Sequence, residues 1–174
     1  MNRRELLQKL GGVLAVAGVV AVTTKEKVLA QGGDCTTEQF TRPQTGYYYS
    51  HCSQQWIRYT VTVQQTVQTC TNADGSVTYK IHEQLHGTGQ SYDPATHQLT
   101  GAEYVLNDQI HEREIFGPYT GSGCTPSSHT TIQHLVLVSK GNAPNENTVW
   151  TITDSVDSSC HIQSSYNMDT DCHG

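Results

Sequence analysis

Between residues 57 and 67 apolar and polar side chains alternate. Ile57, Tyr59, Val61, Val63 and Val67 take one phase, and Arg58, Thr60, Thr62, Gln64 and Thr66 the other. Period two in a run rich in β-branched residues predicts a strand with one buried face. Asn72-Ala73-Asp74-Gly75 follows, with the residues of a tight turn. Val77, Tyr79, Ile81 and Leu85 then alternate with Thr78, Lys80, His82, Gln84 and His86, which predicts the returning strand. Asp93-Pro94 and Thr100-Gly101 bracket a polar connection, and residues 104–116 form a third extended run. Residues 117–128 hold Pro118, Gly121, Gly123 and Pro126 and read as a loop. Residues 131–139 are apolar in both phases, the pattern of the most buried strand. A turn at 141–147, a fifth strand at 148–156 and a sixth at 161–168 complete the pattern. No segment beyond residue 30 has a convincing amphipathic-helix pattern. The expected fold is all-β, an antiparallel meander forming a small barrel or sandwich.

The first thirty residues follow a different pattern. A positively charged start (Arg3, Arg4) precedes the apolar run of residues 11–22, and Val28-Leu29-Ala30 ends on a small residue. This order reads as an export signal, and the apolar run is too short to span a bilayer comfortably. Asn2-Arg3-Arg4-Glu5-Leu6-Leu7-Gln8-Lys9 resembles a twin-arginine signal, with Leu6 where that pattern prefers Phe and the lysine one residue late. The division is therefore an export signal at 1–30, an N-terminal arm or edge strand at 31–50, and a single β domain at 51–174. The protein is expected to be periplasmic or extracellular, with no transmembrane span in the mature chain.

Charge sharpens the division. The formal net charge of −6 for the 174 residues combines a basic leader with an acidic body. Beyond residue 30, five lysines and arginines face fourteen acidic residues, a net −9. Such a body is a poor phosphate binder, so nucleic acid is not an expected partner. An anionic membrane surface is disfavoured for the same reason.

All six cysteines (Cys35, Cys52, Cys70, Cys124, Cys160, Cys172) lie in that body. An even count in an exported chain predicts three disulfides, and no C-x-x-C pair suggests a metal cluster. In a meander whose first strand runs upward, Cys70, Cys124 and Cys160 fall at the upper end. Cys52 and Cys172 fall at the lower end. Bridged Cα atoms lie within about 7 Å, so pairing across the two ends is excluded. Cys52 should bond Cys172, and Cys35 one of the upper three. Fifteen connectivities reduce to three.

His82-Glu83-Gln84-Leu85-His86 matches H-E-x-x-H. On a helix the two imidazoles would share a face and hold Zn²⁺, with Glu83 activating its water. The continuation His86-Gly87-Thr88-Gly89 resembles the glycine spacing of metzincin proteases, and Met168 stands downstream as a Met-turn would require. The position of a third ligand is Tyr92, however. The residues before His82 favour a strand, on which His82 and His86 would stand about 13 Å apart. The zinc-hydrolase reading is thus the alternative, and zinc the only cofactor it would bring.

On a strand, Glu83 breaks the alternation and faces the apolar side. It then needs a partner such as Arg58 or Arg113, or a place near an open barrel end; otherwise it is a polar anchor in a ligand cavity. His134, among Ile132, Val136 and Val138, is either a satisfied core histidine or a second cavity residue. His51 and His173 flank the expected Cys52–Cys172 bridge and form a weaker candidate surface metal site, with His86 or His97 at the same end. No nucleophile elbow, phosphate loop or dinucleotide fingerprint occurs. The sequence therefore points to an exported non-catalytic module with a small-molecule ligand in its interior. The zinc hydrolase and a structural component of an envelope or extracellular assembly are the alternatives.

Overall fold

The computed structural model describes residues 24–30, 33–118 and 124–174. The leader assigned to residues 1–30 lies outside them, apart from its last seven residues. Among the described residues, eight strands follow one another in a single antiparallel sheet: β1 Thr24–Ala30, β2 Gly33–Ser50, β3 Gln55–Asn72, β4 Val77–Asp93, β5 Gln98–Phe116, β6 Ser127–Ser139, β7 Asn145–Val156 and β8 Ile162–His173. Each strand pairs with its neighbours in sequence, as a meander requires. Residues 33–50, expected as an arm or edge strand, pair along their whole length with β3, and with β1 only at Gly33–Gln39.

The strands of 12 to 19 residues from β2 onward are far longer than the usual five or six. Twist accumulates over such lengths, and the sheet curls so that one face becomes interior. On β3 and β4 the inward positions keep the phase read from the sequence, with Ile57, Val61, Val63 and Leu85 inside; Tyr104 and Leu106 of β5 and Leu135 and Leu137 of β6 complete the inner face. These eight form the buried core, with Tyr48 and Trp150 packed against it. No ladder joins β8 back to β1 or β2 among the described residues, so the sheet is not closed by backbone pairing.

Closure at the lower end comes from side chains. Cys52, in the β2–β3 turn, is bonded to Cys172 near the end of β8, with Cα atoms 5.4 Å apart. Tyr48 and Ser50 of β2 hydrogen-bond Glu146 of β7 across the interior. At the upper end, Cys35–Cys70 joins directly opposed residues of β2 and β3, and Cys124–Cys160 ties the loops before β6 and β8. The end-to-end argument from sequence thus matches all three bridges. Three intramolecular disulfides and no free cysteine suit an oxidising compartment, extracellular or periplasmic.

Two sequence expectations change. The turn signal at Thr100-Gly101 lies inside β5: Gly101, at φ +64°, sits where the β4–β5 register shifts, so it marks a bulge rather than a strand end. The polar connection shrinks to residues 94–97. Strand β6 is not buried on both sides. Leu135 and Leu137 are buried, but Ile132 and Val138 are over 40% exposed on the outer face. Among the described residues the curled single sheet has no second layer to cover that face.

Candidate functional site

The inner face divides along the strands. Its lower half is the apolar core. Its upper half carries Arg42, Gln65, Glu83, Asp108, Glu112, Glu114, His129, Gln133 and Asp154 in the same inward phase. Glu83 accepts a 2.6 Å hydrogen bond from Gln65 Nε2, and Arg42 Nη2 lies 4.0 Å from its Oε1. Burial raises its pKa, and the Arg42 charge opposes the rise. The sequence offered a place near an open barrel end, or a partner in Arg58 or Arg113. Both lie in the outward phase, and the partner is Arg42, on a strand the alternation did not reveal.

Asp108 is the most deeply buried acid of this half, at 6% exposure. Gln133 Nε2 donates to its Oδ2 at 2.6 Å, and its Oδ1 is buried without a hydrogen-bond partner. Burial pushes its pKa up to about 7, against hydrogen bonds from the Gln133 side chain and the Gln109 backbone, and the nearby Glu83 charge adds to the rise. A carboxyl poised near neutrality with one unsatisfied oxygen can accept a hydrogen bond or a positive charge from a ligand.

Above it, ligand atoms of Glu112, Glu114 and His129 all lie within 4.8 Å of one another. His129 Nε2 is 2.5 Å from Glu112 Oε1 and 3.0 Å from Thr131 Oγ1, while its Nδ1 lies 3.7 Å from Asp154 Oδ2. Two carboxylates and an imidazole at this spacing could hold a divalent cation. His129 lies between Glu112 and Asp154, and its Nδ1 is buried without a hydrogen-bond partner.

The other sequence candidates lie elsewhere. His82 to His86 falls in the middle of β4, with both histidines outward and Glu83 inward. His82 Nδ1 is 3.1 Å from His111 Nδ1 on β5, and His86 bonds Asn107. The structure brings His82 to His111, not to His86, and Glu83 cannot reach water held on the opposite face. The glycines that resembled a protease motif serve the sheet instead. A Cβ on Gly87 would stand 2.2 Å from the Thr60 carbonyl oxygen. His134 faces outward and bonds Asn147 Oδ1 at 2.7 Å, so it is neither a core nor a cavity residue. His51, beside Tyr49, and His173 are exposed at the Cys52–Cys172 end, and no three-residue metal group forms around them among the described residues.

Sequence reasoning missed Asp108, Gln133, Glu112 and His129. The signal was available: Asp108 interrupts Tyr104, Leu106 and Ile110 as Glu83 interrupts Ile81 and Leu85. Comparison of the chain with protein-family models, curated proteins and solved structures finds no match.

Proposed function

We propose that the chain is an exported, non-catalytic β module that binds a small ligand against the polar half of its inner face. The observation that carries this reading is Asp108, a buried carboxyl with one oxygen unpartnered and a neighbour, Glu83, whose charge it must tolerate. The inward carboxyls Glu83, Asp108, Glu112, Glu114 and Asp154, close to one another on this half, favour a cationic or hydrogen-bond-donating ligand. Native mass spectrometry of the disulfide-intact protein tests it. A non-covalent adduct present in the wild type and lost in Asp108→Asn is expected. Bare mass for both would overturn it.

A second reading, a structural component of an envelope or extracellular assembly, is favoured by β8. This edge strand carries Ile162, Tyr166 and Met168 at 72%, 46% and 38% exposure, and its outer backbone edge, unpaired by any strand among the described residues, could accept another strand. A monomer at all concentrations in size-exclusion chromatography would reject it.

A further inference from the structure

The outer face opposite this acidic half has the reverse character. Lys80 on β4 stands directly opposite Arg113 on β5, and in the next outward row His82 stands opposite His111. Like charges placed directly across a ladder destabilise it, so an antiparallel pair of cations calls for a compensating anion. None is supplied. Arg42 and Lys140 have carboxylates within 4.0 Å, but Lys80 and Arg113 have no ion pair among the described residues. The flanking outward positions are Thr37 and Gln68 on one side and Thr130 and Thr153 on the other. In the histidine row they are Gln39, Thr66, Ile132 and Thr151. All are uncharged. Two of the five basic residues beyond residue 30 thus meet in a patch with uncharged flanks, in a body of net −9; the acid of the same outward row, Glu26 on β1, stands three strands from Lys80.

The patch is concave. Lys80, His82, His111, Arg113, Thr66 and Gln68 line a groove of about 580 Å³. Glu112 also borders it, but its carboxylate is bonded to His129 on the inner side of the sheet. The imidazoles of His82 and His111 touch with ring centroids 4.3 Å apart and present further polar nitrogens beside the two cations. A metal ion on this histidine pair would sit next to two fixed positive charges, which disfavours it.

We propose that this groove binds a small ligand through an oxyanion group (sulfate, phosphate or carboxylate) held by Lys80 and Arg113, with His82, His111, Gln68 and the threonine hydroxyls as hydrogen-bond partners. Arg113 offers a planar fork suited to two anion oxygens, and Lys80 a mobile point charge. The site lies on the opposite face from the inner polar band and stands or falls independently of it.

Amide NMR titration of the intact, disulfide-bonded protein with sodium sulfate, sodium phosphate and sodium citrate tests the site, with sodium chloride at matched ionic strength as the control. Saturable shifts confined to residues 66–68, 80–82, 111–113 and 130–132 are expected, and the anion saturating at the lowest concentration identifies the group. Lys80→Gln and Arg113→Gln should each weaken binding at least tenfold, while Lys140→Gln should not. Relief of like-charge repulsion means that Lys80→Gln should melt no lower than wild type. Shifts that chloride reproduces, or affinities unchanged in both variants, would overturn the proposal. So would a markedly lower melting temperature for Lys80→Gln.

Discussion

Tyr48 on β2 donates its hydroxyl hydrogen to Glu146 on β7, 98 positions later and five strands away. The two strands share no ladder, so this contact spans the interior of a curled sheet rather than a step along it. Glu146 is 1% exposed and also accepts hydrogen bonds from Ser50 Oγ at 2.5 Å and Thr148 Oγ1 at 3.0 Å. Burial and the carboxylate together raise the Tyr48 pKa, so the phenol stays protonated and donating. Glu146→Ala removes the acceptor of Tyr48, Ser50, Thr148 and the Cys52 amide, of which Thr148 retains Thr170, and should cost about 3 kcal/mol or more, whereas Glu146→Gln keeps the shape and should cost clearly less. Urea unfolding at neutral pH measures both. Equal losses would show that packing, not the hydrogen bonds, holds the two strands.

Gly87 marks where β3 and β4 approach too closely for any side chain. Its hypothetical Cβ meets the Thr60 carbonyl oxygen at 2.2 Å and Val61 Cα at 2.7 Å, both backbone atoms that cannot swing aside. Gly87→Ala should therefore destabilise the fold by about 2 kcal/mol or more, despite alanine's lower unfolded-state entropy. A denaturation midpoint equal to wild type would contradict the close approach.

The Cys52–Cys172 bridge spans 120 positions, against 35 and 36 for the other two. Loop entropy alone makes it the most stabilising, about 5 kcal/mol against about 4. It also holds β8 to the β2–β3 turn, where no ladder does. Replacing both cysteines by alanine should lower stability most of the three pairs and raise amide exchange first in β8. Exchange beginning elsewhere would argue that β8 is held by β7 alone.

Asp108 links pH to stability with a definite sign. Its folded pKa of about 7 exceeds the unfolded value of about 4, so the folded state binds the proton more tightly. The stabilisation is full below about pH 4 and is lost as pH rises through 7, by up to about 4 kcal/mol. Glu83, also raised by burial, adds to the loss in the same direction. Asp108→Asn should match wild type near pH 4 and exceed it at pH 8, as read by urea unfolding at both. A pH-independent difference would contradict the burial of an ionisable Asp108.

The strands were legible because period two persists wherever one face meets the core, as in Ile57 to Val63. The bridges were legible because a meander assigns each cysteine to one end. Burial of β6 was misjudged, because alternation cannot report whether a second layer covers the outer face. Ile132 and Val138 are exposed for want of one. The candidate site was only half legible. Glu83 stood out against Ile81 and Leu85, but its partner Arg42 lies on β2, where Pro43 and Gly46 blur the alternation. The diagonal meeting of Glu112 with His129 depends on the β5–β6 register, which no local signal sets.

Carboxyl and side-chain amide NMR of the intact protein reads ligand binding at Asp108 on the inner face. The titrants are small amines, guanidines and amidines, including benzamidine and spermidine. Saturable shifts at the Asp108 and Glu83 carboxyls and the Gln133 side-chain amide are expected, with a lowered Asp108 pKa in the bound form. Shifts absent for every compound, or confined to the outer face, would contradict it.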